Sequence, residues 1–235
     1  GGRAVSPAPP RDRGPAGPIR PVRDRALRAG WLLAYGGAMG LLEAAVVVYL
    51  REIYYPEGFR FPIVPMPARI FVVEILREAA TLAMILAVAV LAARSALDRF
   101  FVFGFLFGVW DLAYYLALRV LLGWPESLGT WDILFLIPVP WLSPVVYPAL
   151  VSGFLIAGFA VHETLGCRGR GLRLGRAAWA VASAGAATIV VSFCWRFRDV
   201  LEQRLPGPFP AWMFSVGLLL AAIPFARAAW RGFRG

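Results

Sequence analysis

The sequence predicts an all-α, polytopic integral membrane protein with six transmembrane helices. Of the 235 residues, 60% are apolar, above the roughly 45–50% that is usual for soluble domains. About 20 apolar residues suffice for a helix to cross a hydrocarbon core of roughly 30 Å. Six runs approach or exceed this length, at about 29–50, 69–93, 100–122, 141–161, 177–195 and 211–229.

The charges of the connecting segments predict the orientation of these spans. One set of segments carries 16 arginines against four acids, and it comprises 1–28, 94–99, 162–176 and 227–235. The other set carries six arginines against six acids, and it comprises 51–69, 123–140 and 196–210. Since basic segments stay on the cytoplasmic side, we expect a bacterial-type inner (plasma) membrane protein with both termini in the cytoplasm.

The N-terminal segment 1–28 differs from the rest of the chain in composition. It holds seven arginines and six prolines and contains no apolar stretch typical of a cleavable signal. Such a composition cannot bury enough surface to offset the entropy of ordering. We therefore predict a disordered cytoplasmic arm, which either sets the topology or contacts lipid headgroups, followed by a transmembrane domain over 29–235.

The few residues able to bind metals or cofactors are scattered along the chain. The cysteines, Cys167 and Cys194, fall at opposite sides of the predicted membrane, and His162 is the sole histidine. These residues match no metal or haem motif, so we expect no metal and no cofactor. The net charge of +10 follows from topology, and it does not indicate a nucleic-acid partner.

The first and third spans share a motif of small, acidic and basic residues. Its two copies are Gly36-x3-Gly40-x2-Glu43-x7-Arg51 and Gly104-x3-Gly108-x2-Asp111-x7-Arg119. Glycines four residues apart let helices pack closely in lipid, so these four glycines are predicted packing residues. An acid three residues further on lies on the same face. The motif predicts an internal repeat of helical hairpins, with chance recurrence as the alternative.

The stretch Glu-Ile-Leu-Arg-Glu, residues 74–78, places charges one turn apart at the start of the second span. Charges at this depth are costly unless they face the interior and pair. We predict a cluster for an ion, a proton or a substrate, made of Glu43, Glu74, Arg77, Glu78, Asp111, Tyr114, Tyr115 and Arg119. Burial disfavours a carboxylate charge, so we expect at least one acid to exchange a proton at neutral pH. The alternatives are a structural pin between helices and a contact with a partner's charge.

Residues 124–148 are too apolar for an ordinary loop and contain five prolines and three tryptophans. Proline breaks helices, and tryptophan prefers the headgroup level. We predict an interfacial or re-entrant segment that begins near Thr130 or Asp132 and leads into a bent fourth span. It forms an outer roof over the charges, made of Trp131, Asp132, Pro138, Pro140 and Trp141. The alternative is an aromatic belt with proline-terminated helices.

Three functions fit these features. The first is a small proton- or ion-coupled transporter, and the second is a non-catalytic accessory or assembly subunit of a membrane complex. The third is an intramembrane lipid-modifying enzyme: Glu74-x3-Glu78 resembles the paired acids of polyprenyl-pyrophosphate phosphatases, but their Ser/Arg-rich phosphate-binding motif is absent. We favour a transporter without catalytic residues, whose partners are the lipid bilayer and either further copies of the chain or a larger membrane complex.

Overall fold

The computed structural model describes residues 22–234, and the predicted six-span, all-α membrane fold is confirmed. The helices are α1 (Val22–Tyr54), α2 (Ala68–Ala92), α3 (Ala96–Leu122), α4 (Val146–Cys167), α5 (Arg176–Cys194), α6 (Phe197–Leu201) and α7 (Ala211–Arg234). All except the short α6 belong to segments long and apolar enough to cross a membrane. Two short strands, β1 (Trp131–Phe135) and β2 (Trp141–Pro144), lie between α3 and α4.

Two helices begin at least five residues away from the predicted start of their span. Helix α1 begins at Val22, so residues 22–28 of the predicted arm are helical, while residues 1–21 of that arm lie outside the described part. This first turn is held by Arg25 and Arg28, whose guanidinium groups bind acids on α3 and α4. Helix α4 begins at Val146 rather than near 141, because the preceding residues form strand β2.

Strands β1 and β2 form an antiparallel hairpin at one end of the helix bundle. Trp131 pairs with Pro144 and Ile133 pairs with Leu142, and the register shifts between Ile133 and Phe135. The hairpin and the C-terminal ends of α1 and α3 lie together, and we call this the hairpin end. The opposite end, where Arg28 meets Asp98 of α3, is called the arginine end.

Helix α3 lies at the centre of the fold and packs against α1, α2 and α4, while α5 packs along α7. The α5–α7 pair contacts the other elements mainly through α4 and β2. A compact apolar core fills the bundle below the hairpin end, with Ile85 and Ala89 of α2 and Leu106 of α3 fully buried. This core separates the charged side chains at the hairpin end from those at the arginine end.

Glycines allow three close helix crossings. A methyl group at Gly40 of α1 would lie 2.6 Å from the Trp110 carbonyl oxygen of α3, and one at Gly108 of α3 would lie 2.7 Å from the Ser152 carbonyl oxygen of α4. Gly36 and Gly104 lie at the same two crossings. The third crossing joins α5 to α7 through Gly185 and Gly217, which lie outside the motif shared by the first and third spans.

Candidate functional site

A charged cavity of about 150 Å³ lies at the hairpin end, between α1, α2, α3 and β1. We call it the carboxylate chamber. Its charged lining residues are Glu43, Arg51, Glu74, Arg77, Glu78, Asp111 and Asp132. Five carboxyl groups therefore face two guanidinium groups in one small space, with Tyr114 and Tyr115 beside them. The four elements bring together residues that are distant in sequence.

Helix α2 contributes the hairpin end of its buried face to the chamber. The buried residues of α2 are Glu74, Glu78, Thr81, Ile85 and Ala89. Their spacing follows one stripe of an α-helix, and the acids occupy the end of the stripe nearest the hairpin. The Thr81 hydroxyl donates to the Arg77 carbonyl oxygen at 3.0 Å, so its polar group is satisfied within the helix. Glu74 and Glu78, the two acids of the Glu-Ile-Leu-Arg-Glu stretch, both belong to this stripe.

Arg77 links α2 to α1 inside the chamber. Its guanidinium group donates to a Glu43 carboxylate oxygen of α1 and lies 2.9 Å from Glu74 on its own helix. Arginine stays protonated in proteins and offers several donors in one plane. Arg77 can therefore neutralise two acids at once, so Glu43 and Glu74 are both paired.

Glu78 is bound to the hairpin rather than to a cation. Both of its carboxylate oxygens accept from the backbone N–H of Leu136, at 2.9 and 3.1 Å. Leu136 directly follows β1, so this contact connects α2 to the hairpin. Among the described residues no arginine or histidine nitrogen lies within 4.0 Å of Glu78, although its side chain is buried.

Asp111 is the second acid of the chamber with a neutral partner. The Ser152 hydroxyl of α4 donates to Asp111 at 2.8 Å, and Ser152 is fully buried. Within the described part of the chain, Asp111 forms no ion pair at 4.0 Å or less. Glu78 and Asp111 are therefore carboxyl groups held by neutral donors next to a cavity.

Arg51 lines the chamber although it was not part of the predicted cluster, and its partner there is Asp132 of the predicted roof. Arg51 is only 9% exposed and lies 3.8 Å from Asp132 of β1. Its guanidinium group also stacks 3.6 Å from the Trp124 ring centroid, and the Tyr115 hydroxyl donates to Asp132 at 3.2 Å. Arg51 follows Glu43 by eight residues, about two helical turns, but Arg119 follows Asp111 by the same interval and does not line the chamber.

The Asp132 carboxyl group is expected to titrate near neutral pH. Burial raises its pKa to about 6, although the Arg51 guanidinium group opposes this shift. The folded-state pKa exceeds the usual value, so Asp132 contributes stability below about pH 4 and loses it as the pH rises through about 6. Infrared difference spectra between pH 5 and pH 7 should show a carboxylic-acid band that is lost in Asp132→Asn. The band should persist in Glu57→Gln, which changes an exposed acid at the same end. An unchanged band in Asp132→Asn would contradict this assignment.

The structure places most of the predicted cluster in the chamber. The predicted residues that line it are Glu43, Glu74, Arg77, Glu78, Asp111, Tyr114 and Tyr115. Arg119 is the exception, because it does not line the chamber. Its Nη1 donates to the carbonyl oxygens of Gly123 and Pro125, because the last turn of α3 leaves free carbonyl groups within its reach.

The five residues of the predicted outer roof lie in the β-hairpin. Of these residues only Asp132 lines the chamber, while Trp131 packs against Phe209 and Trp141 packs against Phe135. Pro138 and Pro140 lie in the turn between the strands. The prediction that Trp141 starts a bent fourth span was wrong, since proline at 138, 140 and 144 prevents helix formation before Val146.

A second charged cluster lies at the arginine end. Arg28 of α1 binds Asp98 of α3 at 3.0 Å and also Glu163 of α4, which Arg25 binds at 3.2 Å. His162 Nε2 lies 3.5 Å from Asp98. The ligand atoms of Asp98, His162 and Glu163 lie within 4.8 Å of one another. However, two guanidinium groups already neutralise these carboxylates, so the cluster joins three helices and is unsuited to a metal ion.

No protein-family model, curated protein or solved structure matches this chain. Its class therefore follows from the fold and the site themselves. The protein is a multi-pass membrane protein with buried charged residues at the hairpin end of its helix bundle and a partly buried charged cluster at the arginine end. The internal repeat stays a prediction: both copies of the motif place an acid in the chamber, but their arginines, Arg51 and Arg119, have different partners.

Proposed function

We propose that the protein is a small proton- or cation-coupled transporter whose carboxylate chamber binds the coupling ion. One observation carries this proposal: Glu78 and Asp111 line the cavity without a cationic partner in the described part of the chain. The paired acids Glu43 and Glu74 already use the charge of Arg77. The chamber therefore contains two carboxyl groups that are available to bind a proton or another cation.

The physical basis of the proposal is the cost of uncompensated charge. With five acids ionised and two arginines protonated, the chamber would hold a surplus of negative charge. Ionised groups buried in a membrane protein are costly unless they are paired, so the surplus favours the uptake of protons or of another cation. Trp110 also lines the chamber, and its buried indole N–H has no acceptor among the described residues.

The orientation inferred from the arginine distribution completes the proposal. With both termini in the cytoplasm of an inner membrane, the hairpin end and its chamber lie toward the outer side. The apolar core around Ile85 and Leu106 separates the chamber from the arginine end. In this orientation the chamber exchanges ions with the outside first, and transport requires a second arrangement that is open to the inside.

The test is proton movement in liposomes that contain the purified full chain. We expect Na⁺, K⁺ or tetraphenylphosphonium, added as separate probes, to dissipate an imposed pH gradient that is followed with a pH-sensitive dye. Glu78→Gln and Asp111→Asn should each lower the rate at least about tenfold, as loss of a proton-exchanging group does. Glu57→Gln serves as the matched control, because Glu57 is an exposed acid at the same end.

Two results would contradict the proposal. The first is a pH gradient that none of the three probes dissipates faster than in liposomes without protein. The second is a Glu78→Gln, Asp111→Asn double variant whose rate equals that of the native chain. In either case the chamber would serve as a structural link between α1, α2, α3 and the hairpin.

A further inference from the structure

The arginine end carries a concentration of positive charge that its neighbouring acids do not balance. The connector between α4 and α5, with the last two turns of α7, contains Arg168, Arg170, Arg173, Arg176, Arg227, Arg231 and Arg234. No acid occurs between Glu163 and Asp199 or after Glu202. Glu163 itself is bound by Arg25 and Arg28. Among the described residues, Arg173, Arg227 and Arg231 form no ion pair.

Three of these arginines surround a surface hollow of about 510 Å³. Its lining residues are Gly169, Arg170, Gly171, Arg173, Ala228, Arg231 and Gly232. Arg170 is fixed in place, since its guanidinium group donates to the Phe233 carbonyl oxygen at 2.7 Å. The hollow is thus formed where the connector docks on the end of α7, and its free charges are those of Arg173 and Arg231.

An apolar groove of about 340 Å³ continues from this hollow along α5 and α7. The two share Arg173, Ala228 and Arg231 in their linings. Beyond Arg227 the groove is lined by Ala177, Ala178 and Val181 of α5 and by Leu220, Ile223 and Pro224 of α7. From Arg231 to Leu220 it follows α7 for about 16 Å at 1.5 Å per residue.

We propose that the hollow and the groove together bind one anionic phospholipid. The headgroup phosphate lies between Arg173 and Arg231, and one acyl chain lies in the groove between α5 and α7. Arg227 stands at the boundary between the two parts, where the ester region of such a lipid would lie. This proposal uses no residue of the carboxylate chamber and is independent of the proposed transport.

The combination of features favours a lipid over a soluble anion. A soluble phosphate would use the hollow alone and would leave the groove without a role. Basic pockets between transmembrane helices on the cytoplasmic side are suited to acidic lipid headgroups. The side chains of the groove match an acyl chain in polarity, and the groove opens from the charged hollow rather than standing apart from it.

The test is lipid binding by the full chain, purified in mild detergent and stripped of endogenous lipid, followed by native mass spectrometry. Phosphatidylglycerol should bind more tightly than phosphatidylcholine. Arg173→Gln with Arg231→Gln should weaken phosphatidylglycerol binding about 30-fold, from the attraction contributed by each basic residue. The matched control, Arg60→Gln with Arg69→Gln, removes the same charge from exposed positions at the hairpin end and should change binding less than about twofold.

A second variant separates the lipid from a free anion. Ala178→Phe fills the groove while leaving every arginine in place, so it should weaken phosphatidylglycerol binding as well. Inorganic phosphate at equal concentration should not displace the lipid. The proposal is overturned if the native chain binds both lipids equally, if the arginine double variant binds like the native chain, or if inorganic phosphate displaces phosphatidylglycerol.

Discussion

Replacement of Arg77 by methionine is expected to lower the free energy of unfolding by about 3–5 kcal/mol. Methionine keeps much of the length and apolar stem of the side chain but removes the charge that Glu43 and Glu74 share. Both acids lie on buried faces of α1 and α2, where they have little access to water. Their carboxylates would be left without a cation, and their desolvation would no longer be offset.

The measurement is reversible unfolding of the purified chain in mixed micelles, followed by the loss of helical circular dichroism. Arg60→Met is the matched control, because the Arg60 side chain is 75% exposed, and its effect should stay within about 0.5 kcal/mol. Adding Glu43→Gln and Glu74→Gln to Arg77→Met should restore most of the lost stability. A single variant as stable as the native chain would show that the ion pairs do not hold α1 to α2.

Substitution of Gly40 by alanine is expected to destabilise the protein by about 1–3 kcal/mol. The added methyl group would lie 2.6 Å from the Trp110 carbonyl oxygen and 2.8 Å from the Tyr114 backbone nitrogen. Backbone atoms of α3 cannot move aside as a flexible side chain can, so the α1–α3 crossing must separate. Separation would also pull Glu43 away from Arg77, so the chamber should lose its geometry together with the packing.

The matched control is Gly37→Ala, three residues earlier on the same helix. A methyl group at Gly37 would have no heavy atom within 4 Å. Since alanine favours a helix over glycine by about 1 kcal/mol, this variant should be as stable as the native chain or slightly more so. The same unfolding assay measures both variants. Equal effects of the two substitutions would contradict the role assigned to the α1–α3 crossing.

The sequence predicts the spans well because the length and polarity of a membrane helix are local properties. Helical spacing also puts Glu74, Arg77, Glu78 and Thr81 on one face of α2, and the structure buries Glu74, Glu78 and Thr81. The placement of Glu43 and Asp111 in one chamber follows from the position of each acid after a packing glycine. Each of these inferences uses only the sequence of a single helix.

The remaining features depend on contacts between distant segments. Arg51 and Arg119 occupy equivalent positions in the two motif copies, yet Arg51 meets Asp132 and Trp124 while Arg119 binds the end of its own helix. Nothing within either motif distinguishes these outcomes, because the difference lies in the partner that the tertiary fold supplies. The ion pair of Arg28 with Asp98 is of the same kind.

The hairpin could not be predicted from its own segment of the sequence, for a different reason. Residues 131–144 combine apolar character with proline, a pattern that is also typical of a re-entrant segment. The strands become evident only through their pairing with each other. In addition, the backbone N–H of Leu136, directly after β1, donates to Glu78 of α2. The register of a strand depends on its partner, which a single segment does not contain.

The helices differ in whether they pack backbone against backbone at a glycine. Helices α1, α3 and α4 meet backbone to backbone at Gly40 and Gly108, so they form a stiff frame. Helix α2 contains no glycine and is attached to that frame by side chains, whose bonds can rotate. Glu78 therefore lies on a helix whose contacts with this frame run through side chains, so a change in its charge alters contacts that can rearrange.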